Sequence, residues 1–195
     1  MNNLAENRRI PERFGFSIVI LTYNDSVMLE RLLRSLSKVN DIVIIDSGTC
    51  GLVEDVCERF NARYYFNEFV NQGTQINWAL DNVDFRNEWL LRLDTDEIIS
   101  KELLIELNTL TVSEIPLVGY IDRKMVWMGR LLNYSAPRPL YLARFWRIGF
   151  AKYAEITEEY LVHDCEKKYL KTKFYEHNIQ NTIEYFTKKH LITAN

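Results

Sequence analysis

The chain has 195 residues, 47% hydrophobic and 26% charged, which is the usage of one globular domain with a real core and fits neither intrinsic disorder nor a fibrous repeat. A net charge of -3 at pH 7 argues against a general nucleic-acid binder, which needs a basic surface to displace counterions from phosphates. The three cysteines, Cys50, Cys57 and Cys165, are odd in number and lack metal-site spacing, so they read as reduced thiols, in keeping with a cytoplasmic protein.

Residues 1–14 read as a polar tail. The opening "MNNLAENRRIPERFG" lacks the apolar centre of a signal peptide, and no apolar run approaches the roughly 20 residues that span a bilayer. "FGFSIVILTYN" is then a continuous apolar run, as expected of a strand covered on both faces. Met28, Leu29, Leu32, Leu33 and Leu36 follow at helical spacing, with Asp25 or Ser26 as the N-cap. "DIVIIDSG" predicts a second buried strand, and Leu52, Val53, Val56, Cys57 and Phe60 a second helix. "ARYYF" is a short third strand. A helix over "TQINWALDNV" places Ile76, Ala79, Leu80 and Val83 on one face, and the strand "EWLLRLD" follows it. A further helix has Ser100 near its start and Leu103, Leu104, Leu107 and Leu110 inward.

This alternation predicts an α/β fold with a mostly parallel sheet flanked by helices in a single domain, residues 15–195. Beyond Pro116 the pattern changes to β-like stretches, "LVGYIDRKMVWM" and "PLYLARFWRI", then an irregular segment through His163. A closing helix is expected from Asn178 or Thr182, with Ile179, Ile183, Phe186 and His190 on one face.

In open α/β sheets, ligands sit beyond the carboxyl ends of the strands. Three such ends carry polar groups: Thr22, Tyr23 and Asn24; Asp46, Ser47 and Gly48; Asp94, Thr95 and Asp96. If strand geometry persists past Asp94, the carboxylates of Asp94 and Asp96 leave on one side and repel, so a positive charge is expected between them. Mg²⁺ or Mn²⁺ suits such oxygens and keeps positions open for phosphate and water. The competing reading places Asp96 and Glu97 beside the N-terminus of the next helix, where acids are favoured.

The ordered blocks "SIVILTYND", "IVIIDSGTCG", "GTQINWAL" and "WLLRLDTDEII" resemble the nucleotide-sugar half of family 2 glycosyltransferases of the GT-A fold, including an Asp-any-Asp motif. "WMGRLL", "ARFWRI" and "LVHD" resemble the acceptor half of a branch that builds bacterial lipopolysaccharide cores and other surface glycans. The resemblance divides the domain into a nucleotide-sugar half, 15–112, and an acceptor half, 113–195. It implies an inverting, metal-dependent transfer from a nucleotide diphosphate sugar, a UDP-sugar first, to a glycan or glycolipid.

The resemblance also assigns roles. Thr22, Tyr23 and Asn24 frame the nucleoside, Asp46 accepts from the uracil or its ribose, Asp94 with Thr95 meets the ribose, and Asp96 holds Mn²⁺ or Mg²⁺, completed by the late His177. Where the family pattern has an arginine this chain has Ile76, so Gln75, Asn77 or Arg92 is expected to compensate. Asp164 is the expected general base, since a carboxylate takes the proton of the attacking hydroxyl; Glu158 and Glu159 are its rivals. Trp127, Gly129 and Arg130 are expected beside the sugar and acceptor. The lysines of "EKKYLKTK" and "TKKH" offer a peripheral contact to anionic lipid. Two other functions stay open. A nucleotidyltransferase would need a Gly-rich basic loop that "ILTYND" does not supply, and a non-catalytic homologue is suggested by Ile76 and by a chain that ends soon after the closing helix.

Overall fold

A computed structural model describes residues 11–48, 51–132, 139–154 and 160–179. The first half forms the expected units: β1 (Ser17–Thr22), α1 (Ser26–Ser35), β2 (Ile42–Asp46), α2 (Leu52–Phe60), β3 (Arg63–Phe66), α3 (Gln72–Asn82) and β4 (Trp89–Asp94). The second half holds β5 (Glu97–Ile98), α4 (Lys101–Leu110), β6 (Leu117–Trp127), β7 (Arg130–Leu131), β8 (Tyr141–Arg147), β9 (Lys152–Tyr153), β10 (Leu161–Val162) and β11 (Glu166–Glu176). Of the closing helix expected from Asn178 or Thr182, Asn178 and Ile179 are described and not helical, while Thr182, Ile183, Phe186 and His190 lie outside the described residues.

One sheet takes the order β3-β2-β1-β4-β8-β6-β11-β5, with β7 paired to β6, and β9 and β10 form a separate ribbon. Strands β1 to β4, β6 and β11 run the same way, and β8 is inserted antiparallel between β4 and β6. The two halves therefore share one sheet.

Local chemistry fixes the helix starts. Asp25, Asn71 and Ser100 accept from the backbone N–H groups of Met28, Thr74 and Leu103 at 3.2, 2.8 and 3.2 Å, each satisfying a donor that has no partner within its helix. Alternation along β1, β2 and β4 then sends residues to two cores. Ile18, Ile20, Ile44, Leu91 and Leu93 pack on one face against the apolar stripes of α1, α2 and α4, while Val19, Val43, Ile45 and Leu90 pack on the other against Ile76 and Ala79 of α3. Such fully buried aliphatics contribute about 1.5–3 kcal/mol each relative to exposure. The core also reaches into the expected tail: Phe14 bridges Val39 and is buried.

No helix among the described residues is long and apolar enough to cross a membrane. Cys57 and Cys165 are free thiols, and Cys50 lies outside the described residues.

Candidate active site

Parallel pairing sets Thr22 opposite Asp46 and Leu21 opposite Asp94, so β1, β2 and β4 end on one edge. Their loops interlock there. Asn24 takes a left-handed φ of 52° and its backbone N–H donates to Asp46 Oδ1 at 3.4 Å, as does that of Gly48 at 3.1 Å. The Tyr64 hydroxyl is also bonded to Asp46. Asp46 is buried by these contacts, so in this structure it holds two loops together and shows no open edge to a nucleobase. Gly48 is demanded by the crossing, because a Cβ there would lie 2.0 Å from Asn24 Oδ1. Tyr23 stands 70% exposed beside this edge, and the Thr22 hydroxyl is buried without a partner.

At the end of β4 the expected geometry changes. The strand stops at Asp94 and the chain turns through Thr95 and Asp96, so the two carboxylates are not held on one side. The cations at Asp94 are arginines: Arg92 Nη2 lies 3.3 Å from Oδ1 and Arg144 Nη2 lies 2.8 Å from Oδ2. Arg144 also pairs with Glu97 Oε1 at 2.8 Å, and Glu97 Oε2 accepts the Asp94 N–H at 3.0 Å. Burial opposes ionisation of Asp94, but Arg92 and Arg144 outweigh it and hold this carboxyl down at about 2. Burial, with the charge of Asp94, pushes Glu97 up against the pull of Arg144. Asp94 is the anion of the pair.

Asp96 and His177 meet through pairing distant in sequence. β5 runs antiparallel to the end of β11, Glu97 opposite Glu176, and the His177 N–H donates to the Asp96 carbonyl at 2.7 Å. Arg31 of α1 clamps this junction, donating from Nη2 to the carbonyls of His177 at 2.6 Å and Asp96 at 3.4 Å. Thr95 Oγ1 reaches Asp25 Oδ2 at 3.5 Å and ties the turn to the cap of α1. Burial, helped by Arg31, lowers the His177 pKa, which keeps its imidazole in the neutral form that binds metals. One carboxylate and one imidazole fit a cation that takes its other oxygens from a diphosphate and water. Among the described residues, no group of three or more His, Cys, Asp and Glu side chains is arranged to hold an ion.

The α3 residues divide. Ile76 lies wholly in the core on the α3 side of the sheet. Asn77 bonds both backbone groups of Tyr153, at 2.8 and 2.9 Å, and so fastens β9 to α3. Gln75 is buried and bonded to the side chain and carbonyl of Asn67. Of the three expected substitutes for the missing arginine, Arg92 reaches the edge. It bonds Gln72 in the first turn of α3, contacts Asp94, and lies over the Tyr153 ring at 5.1 Å.

The hairpin of β6 and β7 pairs Trp127 with Arg130 and turns at Met128 and Gly129, both at positive φ of 47° and 75°. This is the twist that two-residue hairpins favour. Because Met125 pairs with Glu176, the hairpin leaves the sheet beside His177, and Trp127, Gly129 and Arg130 do join this edge.

Asp164 does not. Glu166 pairs with Leu117 at the start of parallel strands β6 and β11, and Asp164 precedes it beside Ile115, Pro116 and Phe150. The length of β11 separates it from His177, roughly 30 Å of extended chain, so it cannot touch a hydroxyl held at the Asp94 edge. The rivals Glu158 and Glu159 lie outside the described residues. The residues that bracket them, Ala154 and Tyr160, are joined by an N–H to carbonyl bond of 2.9 Å, and the Ala154 carbonyl lies 3.1 Å from where a Cβ of Gly73 would be, in the first turn of α3.

Arg144 and Arg31 were missed from sequence. Arg144 had a signal: a cation inside the strand-like "YLARFWRI" must find an anion if the strand is buried. Arg31 had none, since "MLERLLRS" reads as an ordinary amphipathic helix and its partners lie 65 and 146 residues away.

Comparison with known proteins bears on the family and the fold. The family model described as Glycosyl transferase family 2 matches residues 17–169. An uncharacterized glycosyltransferase of Mycoplasma genitalium is 29% identical over 101 residues, 45% of this chain and 34% of the relative. One of Rickettsia bellii is 26% identical over 127 residues, 63% and 41% of the two chains. This chain thus spans between a third and about two fifths of these relatives. Among solved structures, S. aureus TarS aligns with a TM-score of 0.60 at 19% identity over 92% of this chain and 39% of that one, and its 1-349 form with 0.58 at 16% over 84% and 60%. These likenesses give the GT-A arrangement of the sheet, and the family match, over most of the chain, establishes that this protein belongs to glycosyltransferase family 2.

Proposed function

We propose that the chain carries the donor site of an inverting transferase that moves a sugar from a nucleotide diphosphate sugar to a glycan or glycolipid of the bacterial cell surface, in lipopolysaccharide or a related polysaccharide. The observation that carries this reading is the β5–β11 pairing, which brings Asp96 and His177 together on the edge where Thr22, Asn24 and Asp94 also end. A UDP-sugar is the first donor to test; the 1-349 form of TarS, similar in fold with a TM-score of 0.59, was solved with UDP-GlcNAc.

Asp94, kept ionised by Arg92 and Arg144, accepts from ribose hydroxyls. Asp96 and neutral His177 hold Mn²⁺ or Mg²⁺, which when bound neutralises the departing diphosphate. Trp127 packs against the sugar, and Arg130 on the same hairpin faces its anionic neighbours. Asp164 lies at the opposite edge of the sheet, so the base is sought in its rivals from the sequence, Glu158 and Glu159. Arg92, buried beneath this edge, is the cation nearest the place of the missing arginine and acts on the donor through Asp94.

The test is calorimetric titration of UDP with and without Mn²⁺, on the wild type and on Asp96→Asn. Metal-dependent binding that falls at least 100-fold in the variant, with an unchanged melting temperature, is expected. Equal binding by both proteins would remove the metal assignment.

A further inference from the structure

Beyond the helix-covered part of the sheet, β6, β8 and β11 present a face that α3 does not reach. Strand alternation and register put Tyr120, Asp122 and Lys124 of β6 on it, with Tyr141 of β8 and Lys167, Tyr169 and Lys173 of β11. The rings form a contiguous ladder: Tyr120 to Tyr169 at 5.3 Å and Tyr169 to Tyr141 at 4.8 Å between centroids. Tyr120 is anchored by a 2.9 Å bond to His163 Nε2, and Lys167 lies over its ring at 5.7 Å. Tyr169 remains 53% exposed.

The charge of this face is opposite to that of the whole chain. Among the described residues, Lys124, Lys167 and Lys173 share this face with one acid, Asp122, which holds the mostly buried Lys124 at 2.8 Å and the exposed Lys173 more loosely at 3.9 Å, so Lys167 and Lys173 are the cations open to a ligand; Asp164 lies beyond the amino end. We propose that this face is the platform for the acceptor, and that the acceptor is an acidic glycan, a chain bearing carboxylate or phosphate groups. This rests on the transferase reading. Tyrosine rings offer rigid apolar faces with a polar rim to the C–H faces of sugars, and the lysines meet the acidic groups between them. The platform leads towards the donor edge, because β6 continues from Tyr120 through Lys124 and Val126, which share its face, to the hairpin, roughly 20 Å. That span suits a chain rather than a single sugar. A lipid surface is the poorer fit, since the lysines of β11 alternate between both faces of the strand, whereas the stacked rings define one.

Affinity electrophoresis in gels containing an oligogalacturonate, a phosphorylated dextran or neutral dextran tests this, with UDP binding followed separately by calorimetry. The wild type is expected to be retarded by at least one acidic glycan and not by dextran, and the gel that retards it tells carboxylate from phosphate. Tyr169→Ala and Lys167→Gln, both at exposed positions, should each weaken retardation at least fivefold and leave UDP affinity unchanged, while Asp96→Asn should bind the glycan as the wild type does. Equal or absent retardation in all gels, or wild-type retardation of both platform variants, would overturn the proposal. So would binding to anionic-lipid vesicles without binding to either acidic glycan. Loss of UDP binding in the wild type would instead defeat the donor reading, because the gels report the platform independently.

Discussion

Each edge of the sheet holds an aspartate between two arginines, Asp41 at the amino edge and Asp94 at the carboxyl edge, and burial is distributed in opposite ways. Asp41 is fully buried and every contact is made within the fold: Ser17 Oγ at 2.5 Å, the Arg86 N–H at 2.9 Å and Arg63 Nη2 at 2.8 Å. Its arginines reach water, Arg63 with 23% and Arg86 with 58% of the side chain exposed. At the other edge the arginines are buried, and Asp94 keeps 27% of its side chain exposed. The first arrangement fastens β1 to β2. The second holds a carboxylate ionised and presents it outward. An acid with two arginines is therefore a lock or a site according to which partner faces solvent.

The sharpest way to break this comparison is Asp94→Asn. Two buried guanidinium groups lose a counter-charge, so a loss of about 3–5 kcal/mol is expected by urea denaturation, with UDP binding lost in the protein that remains folded. Asp41→Asn should cost less, about 1–3 kcal/mol, because Arg63 and Arg86 can be hydrated, and it should leave UDP affinity within twofold. Equal costs for the two substitutions would erase the distinction.

A third measurement isolates Glu97 through pH. Its folded value is raised from 4.5 to about 8, so the stability it contributes is complete below the ordinary glutamate value and is lost as pH rises through that window. Asp94 has the opposite sign: lowered from 3.8 to about 2, it contributes above its ordinary value and loses that contribution only in acid. Between pH 5 and 8 Glu97 contributes a falling slope of up to about 1.4 kcal/mol per pH unit, opposed in the acidic part of the window by His163 and His177, whose values are lowered by burial. Glu97→Gln should flatten it, and an unchanged slope would assign the titration elsewhere. The smallest effect is expected at Asp164, where Asn should alter stability by under about 0.5 kcal/mol and leave turnover intact. Glu158→Gln or Glu159→Gln should lower turnover by about 100-fold or more. Loss of activity in Asp164→Asn alone would return the base to the amino edge.

The legible parts were those governed by neighbours in the chain. Runs such as "SIVIL" and "IVIID" need cover on both faces, and the caps Asp25 and Ser100 mark helix starts whatever the rest of the molecule does. Polar residues at the ends of three parallel strands must then share an edge, which made Thr22, Asp46 and Asp94 visible together. The place of Asp164 was hidden for the same local reason: "LVHD" resembles a short motif, while its edge is set by the direction of β11, known only once that strand pairs with β6.

By itself the sequence determined the alternating units, the parallel direction of the first four strands and the edge on which polar loops collect, because periodicity, caps and short crossovers act over a few residues. Tertiary structure alone decided that Asp96 meets His177, that Arg31 clamps their backbone, that Arg144 reaches back to Asp94 from an inserted antiparallel strand, and that the amino and carboxyl edges use similar residues for different ends. The physical reason is that buried charges must be neutralised by whatever the fold brings near, and no local pattern records which distant residue that is.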